Sequence, residues 1–174
     1  MIERVAFAQD GHRLGPNWRA VVEIADTLVA HLSSSEIQAA LAQANQPGSS
    51  SAAVQAVLLS DAVRLGFRDD SRGLCPGCAS SALRPDYFKP VGDSGILMEV
   101  ERGKTTINNM DLLDFWKCHI CEHASFLFLL VPRELRQNAS MTPRREFVTV
   151  SRRMESFFRP ANYTNVHGLV LIGY

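Results

Sequence analysis

Before Gly66, apolar residues return at helical spacing in three separate runs. Trp18, Val21, Val22, Ala25, Leu28, Val29 and Leu32 form the first stripe, with Asn17 placed to cap it. Ser33-x-x-Glu36 reads as a capping box for a shorter helix through about Ala44, with Ile37 and Leu41 on its inner face. The loop Gln46-Pro-Gly-Ser-Ser-Ser51 follows, and Val54, Val57, Leu58, Ala62 and Leu65 make a third helix that Gly66 ends.

Beyond Gly66 the period changes to that of strands. Phe67 to Leu74 supplies a short strand, and Gly92-Asp93, flanked by apolar runs, suits a type II′ hairpin turn. Centring the turn there places Asp86 across from Glu99. Alternation then puts Glu101 on the face of Asp86 and Glu99, with Tyr87, Met98 and Val100 on the other and Arg84 across from Glu101. Asn108 or Asn109 caps a helix to about His123, whose Leu112, Leu113, Phe115, Trp116 and Ile120 predict a broad buried surface. Ala124 to Val131 is continuously apolar and closed by Pro132, as expected of an interior strand, and strand, helix, strand in this order predicts a right-handed parallel crossover. Thr142-Pro143 opens a last helix carrying Phe147, Val148, Met154, Phe157 and Phe158, and Val166 to Tyr174 reads as a final strand.

Composition narrows the class. A chain of 174 residues with 46% hydrophobic and 21% charged side chains fits one globular domain with a substantial core. The longest apolar run, Phe126 to Val131, is too short to cross a bilayer, and Met1 to Asp10 does not read as a signal peptide, so a cytoplasmic protein without a membrane partner is expected. Eighteen basic side chains balance eighteen acidic ones, but residues 133–159 hold seven arginines against Glu134, Glu146 and Glu155. That local excess suits either phosphate contacts or a solvated helix face.

Two sets of residues carry candidate chemistry. Like charges gathered on one strand face call for a cation or a proton, and oxygen-only ligands such as Asp86, Glu99 and Glu101 suit Mg²⁺ or Mn²⁺ better than zinc. Alternating acids are also the ordinary wet face of an antiparallel sheet. Cys75-Pro-Gly-Cys78 and Cys118-His-Ile-Cys121 have the spacing of a four-cysteine zinc site, whereas buried, inert thiols on a core helix are the simpler reading of Cys118 and Cys121. His12, His31, His119, His123 and His167 form no ligand pattern, and no phosphate loop, dinucleotide fingerprint or Ser-His-Asp set is present.

Pro85-Asp86 followed by Glu99-Val100-Glu101, set on a helix, three strands, a helix and a strand over about residues 50–132, resembles the PD-(D/E)xK nuclease superfamily. The resemblance implies an α/β fold in which residues 49–174 form a restriction-endonuclease-like core, a mixed β-sheet flanked by helices, with an N-terminal helical segment, 1–48, packed on it. It implies Mg²⁺ or Mn²⁺ held by Asp86 and Glu99, with Glu101 standing where the family has lysine and Lys104 or Lys117 supplying the missing cation. It further implies hydrolysis of DNA phosphodiester bonds in a mobile-element or defence setting, by a homodimer or within a larger nucleic-acid-processing complex. In such a fold the two cysteine pairs would lie on the order of 30 Å apart, too far to share zinc. Two alternatives stand beside it: a zinc-stabilised module that binds nucleic acid or protein, and a nuclease fold that has lost its chemistry and serves as a partner subunit.

Overall fold

The computed structural model describes residues 1–69, 84–138 and 140–174. At its centre is Phe126–Val131 (β4), whose six residues are all buried; with no polar position on either side, the segment can only sit where both faces are covered. Ser94–Val100 (β3) and Gly168–Gly173 (β5) flank β4, each parallel to it. Tyr87–Val91 (β2) closes one edge antiparallel to β3, and Glu3–Ala8 (β1) closes the other antiparallel to β5, giving a five-stranded mixed sheet in the order β1-β5-β4-β3-β2.

Helices cover both faces. Ile96, Met98, Val100, Phe126, Phe128 and Leu130 face a core shared with Pro16–Leu32 (α1), Ser35–Ala44 (α2) and Ser51–Arg64 (α3). Leu97, Leu127, Leu129 and Val131 face a second core with Met110–Ile120 (α4) and Glu146–Phe157 (α5). Residues 1–48 thus contribute the edge strand β1, which the apolar pattern does not announce, as well as two helices. Among the described residues no helix is long and apolar enough to cross a membrane.

The hairpin has the expected register. Val91 pairs with Ser94 and Tyr87 with Met98, so the next step outward sets Asp86 beside Glu99. Gly92 takes φ +58° and Asp93 does not take a positive φ, the one-sided pattern of a II′ turn. Arg68 bridges Phe88 antiparallel on the outer side of β2; the rest of the expected 67–74 strand, from residue 70 on, lies outside the described residues.

Several boundaries differ for local reasons. Asn17 lies inside α1, after Gly15 as cap, and its amide donates to Asp93 Oδ1 at 2.7 Å, tying α1 to the hairpin turn. Ser34, one residue after the expected position, caps α2 by accepting from the Ile37 N–H. Residue 143 does not start α5: Leu135 and Arg144 exchange two backbone hydrogen bonds that keep this stretch extended, and the helix begins at Glu146. Asn109 precedes α4 in the left-handed region without capping it through its side chain, and α4 ends at Ile120.

Candidate active site

The two parallel strands β3 and β4 end together, with Val100 beside Leu130, and the acidic residues gather at this carboxyl edge. Asp86 precedes β2, Glu99 is the penultimate residue of β3, and Glu101 leaves it. Backbone geometry fixes Asp86: its Oδ2 accepts from the Val100 N–H at 2.8 Å, and its own N–H donates to Glu99 Oε2 at 3.4 Å. Gln55 of α3 lies close enough to hold the Asp86 carboxyl down slightly against its burial. Asp86, Tyr87, Arg84 and Gln55 line a cleft of about 540 Å³ between α3 and the start of β2.

The counter-charge comes from α4. Lys117 Nζ lies 3.2 Å from Glu99 Oε2 and 2.8 Å from Asp114 Oδ1, with all three side chains buried. Arg84, expected across from Glu101, is exposed and makes no ion pair with it, and Lys104 is likewise exposed. Of the two lysines that the sequence offers, the fold therefore brings Lys117 and not Lys104 to the carboxylates. α4 also turns differently from its expected orientation. Asp111, Asp114, Phe115, Lys117 and Cys118 face inward, while Trp116 and Ile120 are exposed at 53% and 40%.

Protonation follows from burial. Burial raises the Glu99 carboxyl well above its ordinary value, Asp114 adds to this, and Lys117 opposes it. Burial, then the charges of Asp114 and Asp86, lift Glu101 to about 8. Asp114 is raised to about 6 by burial, held back by Lys117. Burial alone would lower the Lys117 ammonium, but Glu99 and Asp114 outweigh it and keep the lysine charged. Asp86 is raised mainly by burial against the pull of the Val100 N–H and Lys117. The buried Asp114 carboxylate is neutralised by the Lys117 ammonium, 2.8 Å from its Oδ1, and by a proton on the adjoining Glu101 carboxyl.

Among the described residues, Glu99 Oε1 is buried without a hydrogen-bond partner, while Oε2 faces Lys117 and the Asp86 N–H. That orphan atom and an all-oxygen donor set fit a hard dication such as Mg²⁺ or Mn²⁺. Among the described residues, no three His, Cys, Asp or Glu side chains already stand at ligand spacing. Lys117 stands between Glu99 and Asp114 instead, supplying the positive charge there.

Asp114 and Gln55 are the site residues that strand periodicity could not reveal. Asp114 had one local signal: it lies three residues before Lys117 on a helix, so the two share a face. The cysteines separate into two groups. Cys75 and Cys78 lie outside the described residues, whereas Cys118 is fully buried in the α4 core with its thiol pushed well up by burial and Cys121 caps the helix. His119 accepts from the Asn165 N–H and meets Thr164 Oγ1 at 3.1 Å, a packing role on the helix flank. Comparison with family models, curated proteins and solved structures finds no match for this chain.

Proposed function

We propose that the protein is a metal-dependent nuclease that hydrolyses phosphodiester bonds in DNA, built on a restriction-endonuclease-like core of the PD-(D/E)xK kind. The observation that carries this reading is the arrival of the Lys117 ammonium from α4 at 3.2 Å from Glu99. The family's lysine position holds Glu101 here, and Lys117 restores a cation beside the same carboxylates. The order of elements agrees: the bridge at Arg68, then β2, β3, α4 and a β4 parallel to β3.

In this reading Asp86 and Glu99 would hold Mg²⁺ or Mn²⁺, which when bound would supply Lewis-acid stabilisation and an activated water. Asp86 is aimed by the Val100 N–H, so its carboxylate does not have to search for its position. Lys117 keeps its charge and offers it to negative charge developing on a phosphate oxygen. Glu101, titrating near 8, can hold or release a proton at the rim of the cluster close to neutral pH. Because the three central side chains are buried, Lys117 would have to turn towards Asp114 for Asp86 and Glu99 to hold a dication. The same burial favours a second reading, a nuclease-fold partner subunit in which the cluster is purely structural.

Plasmid cleavage separates the two. Supercoiled DNA is expected to be nicked in Mg²⁺ or Mn²⁺ and not in EDTA. Asp86→Ala and Glu99→Ala should abolish cleavage, and Lys117→Met should reduce it on the order of 100-fold or more while circular dichroism still reports a folded chain. Cleavage that survives both carboxylate changes overturns the site, and a wild type inert with every dication supports the partner-subunit reading.

A further inference from the structure

The segments that leave β3 and β4 do so at the same edge of the sheet, because the strands are parallel and in register up to Val100 and Leu130. In open α/β sheets this carboxyl edge is where ligands are bound. Residues 101–109 leave β3, and residues 132–145 leave β4. A hydrogen bond from the Gln137 amide to the Gly103 carbonyl, at 3.0 Å, holds the two segments together. Arg153 of α5 anchors the first of them by donating to the Thr106 carbonyl and Asn109 Oδ1.

Of the basic residues on these segments and on α5, Arg102 is buried and donates to the Ser49 and Gln46 carbonyls. Arg133, Arg144 and Arg153 are committed to Glu3, Glu146 and Asp111. Lys104, Arg136 and Arg145 are exposed and form no ion pair among the described residues, with Glu134 the one exposed acid between Pro132 and Arg145. Lys104 lies three residues after Glu101, the Gln137–Gly103 hydrogen bond brings the segment of Arg136 beside it, and the Leu135–Arg144 bridge joins the stretch that carries Arg145 to that segment.

We propose that Lys104, Arg136 and Arg145 form a basic collar that grips the phosphate backbone of duplex DNA and holds it across the carboxyl edge of β3 and β4. The inference rests on the nuclease reading for what happens next, but the grip itself does not require it. A cluster of carboxylates repels a polyanion, so a substrate phosphate must be held by cations placed around the acids. Free arginines and lysines on adjoining loops meet that need without reading bases. The ion-paired arginines remain structural.

The test is binding of a fluorescently labelled short DNA duplex to the full chain in EDTA, followed by anisotropy between about 0.05 and 0.2 M salt. The wild type should bind with a steep salt dependence. The Lys104→Ala/Arg136→Ala/Arg145→Ala variant should bind about tenfold more weakly at 0.1 M salt, with the log–log slope flattened by roughly two to three. Arg159→Ala, an exposed change past the far end of α5, should move the slope by less than about one. A wild type that ignores duplex DNA at low salt, or a triple variant with unchanged affinity and slope, overturns the collar. So does a preference for acidic lipid vesicles over DNA. Binding lost in the triple variant of a protein that never cleaves DNA keeps the collar and sinks the nuclease reading, while cleavage with an unchanged salt slope does the reverse.

Discussion

Glu101 occupies the position where a lysine would have made the sequence motif conventional, and its surroundings give it a different property. Burial and the neighbouring Asp114 and Asp86 charges raise it from an ordinary 4.5 to about 8, and Asp114 rises to about 6. Both folded values lie above the unfolded ones, so each group contributes stability that is fully present below the unfolded pKa and is lost as pH rises through the folded one. The metal-free protein should therefore lose stability between about pH 5 and pH 8, by roughly 2 kcal/mol, well short of the full shift because Glu101 retains some contact with water. Glu101→Gln cannot ionise and should flatten the upper half of that decline. Thermal melts of both proteins at intervals from pH 5 to 9 check this, and parallel curves for wild type and Glu101→Gln would contradict the assignment.

At the scale of elements, α4 shows where sequence reading succeeds and where it stops. Its existence follows from the apolar content of residues 110–120, and the strands around it follow from the unbroken run of β4 and from the Gly92-Asp93 turn. The Asp86–Glu99 facing was legible because turn geometry and a two-residue side-chain period fix register without tertiary information. Which side of α4 turns inward was not, because Asp111, Asp114 and Lys117 read as solvent-facing until partners from other elements are known. The strand β1 escapes the apolar pattern because it is an edge strand with half its residues partly exposed, and residues 142–145 carry a helix-start signal that the non-local Leu135–Arg144 bridge overrides. Arg153 on α5 supplies one missing partner, with its guanidinium 3.0 and 3.2 Å from the two oxygens of the fully buried Asp111. Arg153→Ala should cost about 3 kcal/mol in urea unfolding, at the low end of the range for breaking a buried pair because Arg153 is one-third exposed. The Arg153→Met/Asp111→Asn double variant should recover part of that loss, and additive effects would show that the two are not coupled.

For the molecule as a whole, the two helical layers and the central parallel strands leave the carboxyl edge of β3 and β4 as the place where charge accumulates, with an acidic cluster inside and free cations on the loops outside. A dication entering that cluster competes with the protons on Glu99, Glu101 and Asp114, so its apparent affinity must rise with pH through the range in which Asp114 and Glu101 titrate. A dication bound only by the folded chain would stabilise it by about 2.7 kcal/mol at one hundred times its dissociation constant, which for a chain of 174 residues would raise the melting temperature by on the order of 5–10 °C. Millimolar Mg²⁺ or Mn²⁺ should accordingly raise the melting temperature clearly at pH 8.5 and little at pH 5.5, opposing the alkaline loss of stability expected without metal. Glu99→Ala and Asp86→Ala should abolish the metal-dependent part while leaving the folded protein measurable. An increment that is the same at both pH values, or that persists without Glu99, would place the cation elsewhere. The metal reading requires the increment to vanish with these carboxylates and to grow as their protons leave.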